Sequence, residues 1–303
     1  MAGLKEVRIR IASVKSTQQI TNAMKMVAAS KLRKAQTAII KLRPYAAKLR
    51  EILQNLSASV DNSGDNPFSQ ERKPEKILLV VVASNRGLCG AFNSNVIKMA
   101  LNLTATTYER QFSQGNVGLI TIGRKASEFF RKRRFNVVES HDDLFDRLTF
   151  DNTSPLAEKL MKAFAAKEYD RIDLIYNQFK NAAVQRLIVE QYLPIVPPGE
   201  PVLPAGTAAA PPVAKAEADY IFEPDRETIV RELIPKSLRI QLFKAILDSN
   251  ASEHGARMTA MQKATENAKD LLRELNISYN KARQNSITNA ILEIVSGAEA
   301  LKG

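Results

Sequence analysis

Apolar side chains recur in alternating steps of three and four from the start of the chain. Leu4, Val7, Ile11, Val14, Gln18, Thr21, Lys25, Ala28, Leu32, Ala35, Ile39, Leu42, Ala46, Leu49, Leu53 and Leu56 share one a/d register of about eight heptads. A seam of that length needs a helical partner of comparable length. The other end of the chain supplies one: Leu247, Ala251, His254, Met258, Met261, Thr265, Ala268, Leu272, Leu275, Tyr279 and Ala282 repeat the pattern. The stripe then shifts to Ile287, Ile291, Ile294, Ala298 and Leu301. Between Arg226 and Leu301 only Pro235 and Gly255 oppose a helix before Gly297. At 1.5 Å per residue, helices of about 75 and about 55 residues would run roughly 110 and 80 Å. A compact body of this mass is ~40 Å across, so both helices are expected to project from it. The spacing therefore predicts a long coiled coil of the N- and C-terminal helices, 1–60 and 226–303, with the remaining chain inserted between them.

Three irregularities modify that picture. Pro44 predicts a kink or a weakened hydrogen bond near Ile40. Gln18, Thr21 and Lys25 place polar groups on the seam, which predicts that it opens there or is covered by another chain. Beyond Ala282 small and amide residues accumulate: Gln284, Asn285, Ser286, Thr288, Asn289, Ser296 and Gly297. A free coiled-coil end would carry Lys and Glu; this one is composed to sit inside another protein.

The segment 75–225 changes character. Lys76 to Ser84, Val117 to Gly123 and Arg171 to Phe179 read as strands, the first apolar enough to be buried on both faces. Helices are expected over Asn93 to Arg110, Arg124 to Arg134 and Ser154 to Lys167, the last capped by Thr153 or Ser154 with Pro155 at its first position. A further strand is expected over Arg186 to Leu193. Strand–helix alternation predicts a small, largely parallel, Rossmann-like α/β domain. Pro197 to Ala218 is too rich in Pro and Ala for regular structure and is expected to be a flexible loop.

The 303 residues carry a formal net charge of +12, and the excess is not spread evenly. The first 56 residues hold a dense series of Lys and Arg against only Glu6 and Glu51. That predicts an acidic partner for the first helix: a protein, a nucleic acid or a membrane surface. Positive residues flanking a coiled-coil seam without interleaved aromatics favour an acidic protein. No stretch of ~18 apolar residues is present, so no spanning helix is expected. The first residues lack the apolar centre of a secretory signal and are read as mature protein.

Candidate chemistry is sparse. Ser84 to Asn93, SNRGLCGAFN, is a Gly-containing loop between a strand and a helix, where backbone N–H groups can meet a phosphate. It lacks the Lys-Ser/Thr of a P-loop and the GxGxxG spacing, so a tight turn with Arg86 facing solvent or a partner is the preferred reading. Cys89, the only cysteine, is expected to be a buried small residue. His254 lies on the seam and His141 in a polar stretch, and no general acid/base pair is apparent. A small-nucleotide enzyme using this loop and a basic coiled-coil nucleic-acid binder remain alternative classes. Neither a cofactor nor a metal is expected.

Ile9 to Gln36, IRIASVKSTQQITNAMKMVAASKLRKAQ, resembles the N-terminal helix of the gamma subunits of F-type ATP synthases. Ser84 to Asn93 resembles the central-domain loop of that family, and Ala251 to Ala268 and Tyr279 to Leu301 resemble its C-terminal helix. These matches come in the family's order and cover most of the chain. Two departures stand out. Ala290 follows Ile287, Thr288 and Asn289 where the family usually has Glu, and the cysteine pair of the chloroplast type is missing. The resemblance implies the bacterial type: a non-catalytic rotor shaft, turned by proton flow through a membrane ring of small c subunits and driving ATP synthesis in a ring of alpha and beta subunits. It implies an epsilon subunit as a further partner, and a peripheral location on the cytoplasmic face of the bacterial membrane. It implies that Arg283, Gln284 and Thr288 meet an acidic loop of a catalytic subunit and that Met24 and Lys25 lie near the same contact region. Phe222 and Glu223 would touch the membrane ring.

Overall fold

The computed structural model describes residues 4–57, 67–70, 72–195 and 226–300. The chain forms two compact units, one from Met1–Ala29 with Arg257–Gly303 and one from Ser30–Ala256. Two long helices contribute to both: α1, Leu4–Ser57, and α6, Arg226–Ala300.

In the first unit α1 and α6 run antiparallel. The guanidinium of Arg8 donates to the Tyr279 hydroxyl at 2.9 Å, and the Thr265 hydroxyl donates to that of Thr21 at 2.9 Å. Moving forward along α1 therefore moves back along α6 by nearly the same number of residues. The seam positions Val7, Thr21 and Ala28 are buried, and Leu4, Ile11, Val14, Gln18 and Lys25 are half-buried, while their flanking residues are mostly exposed. On α6, Met261, Ala268 and Leu275 are buried on the matching stripe. The polar stretch of the seam does not open in this unit. Thr21 accepts from Thr265 and passes its own proton to the Gln18 carbonyl at 3.1 Å. The pair gives the buried Thr21 hydroxyl both a donor and an acceptor, so the local loss of apolar contact is offset by hydrogen bonds.

The second unit is a three-layer α/β arrangement. Its sheet contains β1 (Ile77–Val82), β2 (Val117–Ile122), β3 (Val137–Ser140), β4 (Arg171–Phe179) and β5 (Gln185–Leu193) in the order β3-β2-β1-β4-β5. The first four are parallel and β5 pairs antiparallel with β4. Because side chains alternate along a strand, β1 serves two cores at once. Ile77, Leu79 and Val81 pack with α2 (Phe92–Ala105) and α4 (Arg124–Lys132). Leu78, Val80 and Val82 pack with α5 (Phe150–Ala165) and with Leu238, Leu242, Ala245 and Ile246 of α6. Segment Ser30–Ser57 of α1 continues the seam here with Leu32, Ala35, Ile39 and Leu49 buried.

Three local expectations change. The helix expected over Asn93 to Arg110 breaks at Thr106, and a short α3, Glu109–Ser113, follows. The break lets Tyr108 turn into the interior, where its hydroxyl donates to the buried carboxylate of Asp173 on β4. Helix α5 begins at Phe150, capped by Thr149, whose hydroxyl accepts from the Asn152 N–H at 3.3 Å. Pro155 thus lies inside the helix rather than at its first position. The hydroxyls of Thr153 and Ser154 both donate to the carbonyl of Phe150, at 3.0 and 2.8 Å. The edge strand β3, only half-buried, has no counterpart among the expected strands. Pro44 sits within a continuous α1.

Candidate functional site

Strand order reverses between β1 and β4, which is where open α/β sheets ordinarily accept ligands outside the carboxyl ends of their strands. The loop Ser84 to Asn93 leaves β1 at that point, and its polar groups are turned on one another. Asn93 Oδ1 accepts from the Ser84 N–H at 2.9 Å, and Asn93 Nδ2 donates to Ser84 Oγ at 2.8 Å and to the Cys89 sulfur at 3.3 Å. Ser84 Oγ donates to the Arg86 carbonyl at 2.7 Å. The backbone reaches positive φ at Leu88 (62°) and Gly90 (60°). Across the turn, Asn85 Oδ1 accepts from the Arg124 N–H at 3.0 Å and the Ser84 carbonyl from Lys125 N–H at 3.0 Å. These bonds build a stapled strand-to-helix turn, as the preferred sequence reading holds. Cys89 is buried at its centre and Arg86 lies on its exposed side.

Other polar groups in the second unit are structural in the same sense. Asp173 is nearly fully buried, its carboxylate accepting from Tyr108 and from Arg171 Nε at 3.1 Å. Burial pushes the pKa of Asp173 above the usual carboxylate range despite Arg171, and burial together with that carboxylate pushes the pKa of the Tyr108 phenol upward. His141 approaches Glu139 at 3.5 Å, and Lys159 on the same carboxylate holds Glu139 below its ordinary value. Among the described residues no group of three or more His, Cys, Asp or Glu is placed to hold a metal ion. Among them also, no helix is long and apolar enough to cross a membrane.

The residues singled out on the long helices are placed as follows. From Arg283 to Glu299 every residue of α6 is exposed, including Ile287, Ile291, Leu292, Ile294 and Val295, each at least half exposed. Arg283, Gln284 and Thr288 lie in this segment. The Thr288 hydroxyl donates to the Gln284 carbonyl at 3.0 Å, and these two share a face at i, i+4, while Arg283 points to a neighbouring one. Met24 and Lys25 are half-buried on α1, one turn beyond Thr21 and hence level with Met261. Arg283 lies 22 residues further along α6, about 33 Å at helical rise, so the first unit does not bring the two groups together. Phe222, Glu223 and the Pro/Ala-rich segment 197–218 lie outside the described residues. Sequence reasoning missed Tyr108 with Asp173, and it missed Asp248, a nearly buried acid on α6. For Asp248 the local pattern carries no signal, because its burial arises only where α1 and β5 close around it.

The family model described as ATP synthase matches residues 3–301. The chain is 54% identical to the ATP synthase gamma chain of Flavobacterium psychrophilum, with all of both chains covered. It is 51% identical to that of Cytophaga hutchinsonii over 99% of each, and 47% identical to that of Chlorobaculum tepidum over 100% of each. Among solved structures, the fold is similar to a chain of the Euglena gracilis mitochondrial ATP synthase rotor, at TM-score 0.64 and 20% identity over 94% of this chain and 98% of that one. It is also similar to a chain of the Tetrahymena thermophila mitochondrial ATP synthase central stalk and c-ring, at TM-score 0.59 and 23% identity over 81% and 99%. The chain belongs to the ATP synthase gamma-chain family.

Proposed function

We propose that this chain is the central rotor shaft of a proton-translocating F-type ATP synthase, itself without catalytic chemistry. The observation that carries the reading is the end of α6. A helix that exposes five large apolar residues among amides and small side chains over Arg283 to Glu299 gains nothing from its own chain there. Patches of this kind mark protein contacts. A mixed apolar and small surface suits a bearing: it excludes water from the housing yet forms few strong bonds that rotation must break. The Euglena and Tetrahymena structures that this fold resembles are titled as rotor and as central stalk with c-ring, which supports the same role here.

In this reading 1–60 and 226–303 form the shaft and 75–225 the inserted body. The alpha and beta subunits surround the α6 end, an epsilon subunit and the ring of c subunits bind nearer the body, and the complex sits on the cytoplasmic face of the bacterial membrane. Arg283 is a suitable donor to an acidic loop of a catalytic subunit, since guanidinium–carboxylate bonds are charge-assisted. Gln284 and Thr288 add neutral hydrogen bonds, Met24 and Lys25 form a separate contact further along the shaft, Phe222 and Glu223 touch the c ring, and Arg86 meets a neighbour at the stapled loop.

The test is reconstitution of the full complex with Arg283→Ala/Gln284→Ala. Proton-coupled ATP synthesis should fall about tenfold or more while the variant chain keeps its helical circular dichroism. Unchanged coupling would remove these two residues from the contact. The chain alone should hydrolyse no ATP and should co-purify with larger ATPase subunits; recovery as a lone, active ATPase would overturn the shaft reading itself.

A further inference from the structure

We propose that the contact between α1 and α6 in the sheet-bearing unit is proton-linked: Asp248 takes up a proton and thereby tightens the packing of Leu247 against Ile39, Leu42 and Ala46. This is independent of the rotor assignment. Asp248 is only 3% exposed, and its Oδ1 has no hydrogen-bond partner among the described residues. It lines a small cleft whose other walls are largely apolar side chains of α1 and α6. Two neighbouring hydroxyls, Ser249 and Ser252, are fully buried and likewise without partners. The carboxylate therefore receives little of the solvation it loses on folding.

The charged groups that face it come from three elements. Arg43 on α1 and Lys244 on α6 favour the ionised form, while Glu190 on β5 opposes it. Glu190 is itself engaged, accepting from the Tyr176 hydroxyl at 2.7 Å and from Gln241 Nε2 at 2.8 Å. Arg43 is exposed, so water screens its attraction. Burial prevails, and the pKa of Asp248 is pushed up to about 6 from an ordinary 3.8.

The sign follows from linkage. Between the unfolded value and the folded one the native state binds more protons than the unfolded chain, so stability falls as pH rises through that window. The stabilising contribution is complete below pH ~4 and lost above pH ~6, an effect of about a hundredfold on the folding equilibrium. Near neutrality the contact is thus looser than its apolar residues alone would make it.

The experiment uses the full chain, unfolded by urea at pH values from 4.5 to 7.5, as wild type and as Asp248→Asn. The variant's stability relative to wild type should rise about 25-fold across the range, since part of the hundredfold change falls below pH 4.5; parallel profiles would overturn the proposal. Should Asp248→Asn fail to fold, the wild-type carboxyl is titrated directly by carbon NMR of labelled aspartate, where a midpoint below pH 4.5 would overturn it. Arg43→Ala, on an exposed side chain, should move that midpoint upward, because it removes a group favouring the charge. A midpoint that stays in place or moves down would also count against the proposal.

Discussion

Gly123→Ala is the substitution for which the structure gives the largest cost from a single added methyl. Gly123 ends β2 at φ 103° and ψ 132°, a region that side-chain-bearing residues rarely enter. A Cβ there would stand 2.4 Å from the Ala83 carbonyl oxygen and 2.8 Å from its carbon. Both are backbone atoms, and neither can rotate away. Relief requires the ends of β1 and β2 to part, straining the 2.8 Å bond from Ala83 N–H to the Ile122 carbonyl and the anchor from Lys125 N–H to Ser84. The dihedral penalty is ~1–3 kcal/mol and the overpacking penalty ~1–3 kcal/mol, together about 2–6 kcal/mol. Gly115→Ala is the control: its φ of 75° is also positive, but nothing lies within 4 Å of the added atom, so only ~1 kcal/mol is expected. With no tryptophan and seven tyrosines in the chain, tyrosine emission during urea unfolding reads the transition. At a slope of ~3 kcal/mol per molar, Gly123→Ala should lower the midpoint by roughly 0.7–2 M and Gly115→Ala by ~0.3 M. Losses for the two variants that agree within ~1 kcal/mol would refute the argument, since the clash would then carry no energy.

Three further outcomes are expected. Phe130→Ala, which removes a fully buried ring packed edge-on to Phe129 and Phe135, should cost ~3–5 kcal/mol by the same unfolding assay. Thr21→Val and Thr265→Val should each cost ~1 kcal/mol in thermal melts, while the double variant costs less than their sum by ~0.5–1 kcal/mol; strict additivity would mean the hydroxyl pair does not couple. Asn93→Ala removes the acceptor of the Ser84 N–H and a donor to Cys89. Loosening the stapled loop by ~1–2 kcal/mol should speed labelling of Cys89 by a thiol reagent roughly tenfold, against no change if the loop is held by other means.

The features legible in the sequence are those set by local repetition. The a/d register of α1 coincides with its buried and half-buried positions from Leu4 to Leu49, because a two-helix seam is a counting rule on one strand of sequence. Strands β1, β2 and β4 were equally readable, since burial on both faces leaves continuous apolar runs. What escaped depends on a second element. The end of α2 answers to Tyr108 reaching Asp173, some 65 residues away in sequence. Pro155 sits inside α5 because the cap at Thr149 starts the helix five residues earlier, which a positional rule for proline does not foresee. The polar seam at Thr21 closes because Thr265 happens to stand opposite, and a single helix's pattern cannot say what faces it.

The same distinction explains why the working segment was visible while the proton-linked one was not. Along α6 the burial pattern passes through three regimes. From Ala245 to Gly255 nearly every residue is buried, polar ones included, and no periodicity survives to mark a face. From Met258 to Ala282 a single stripe is covered, and the heptad count finds it. From Arg283 to Glu299 nothing is covered. Composition follows these regimes for a physical reason. A stripe needs large apolar residues at fixed spacing, whereas a surface meant for another protein needs apolar area without the charges that would oppose desolvation. Lys and Glu therefore thin out where the chain's own contacts stop, and that thinning is readable without coordinates. A buried Asp248 among polar neighbours breaks no local rule, because its cost arises only once α1 and β5 close around it. Sequence thus exposes the surface a chain offers to others more readily than the strain it keeps within itself.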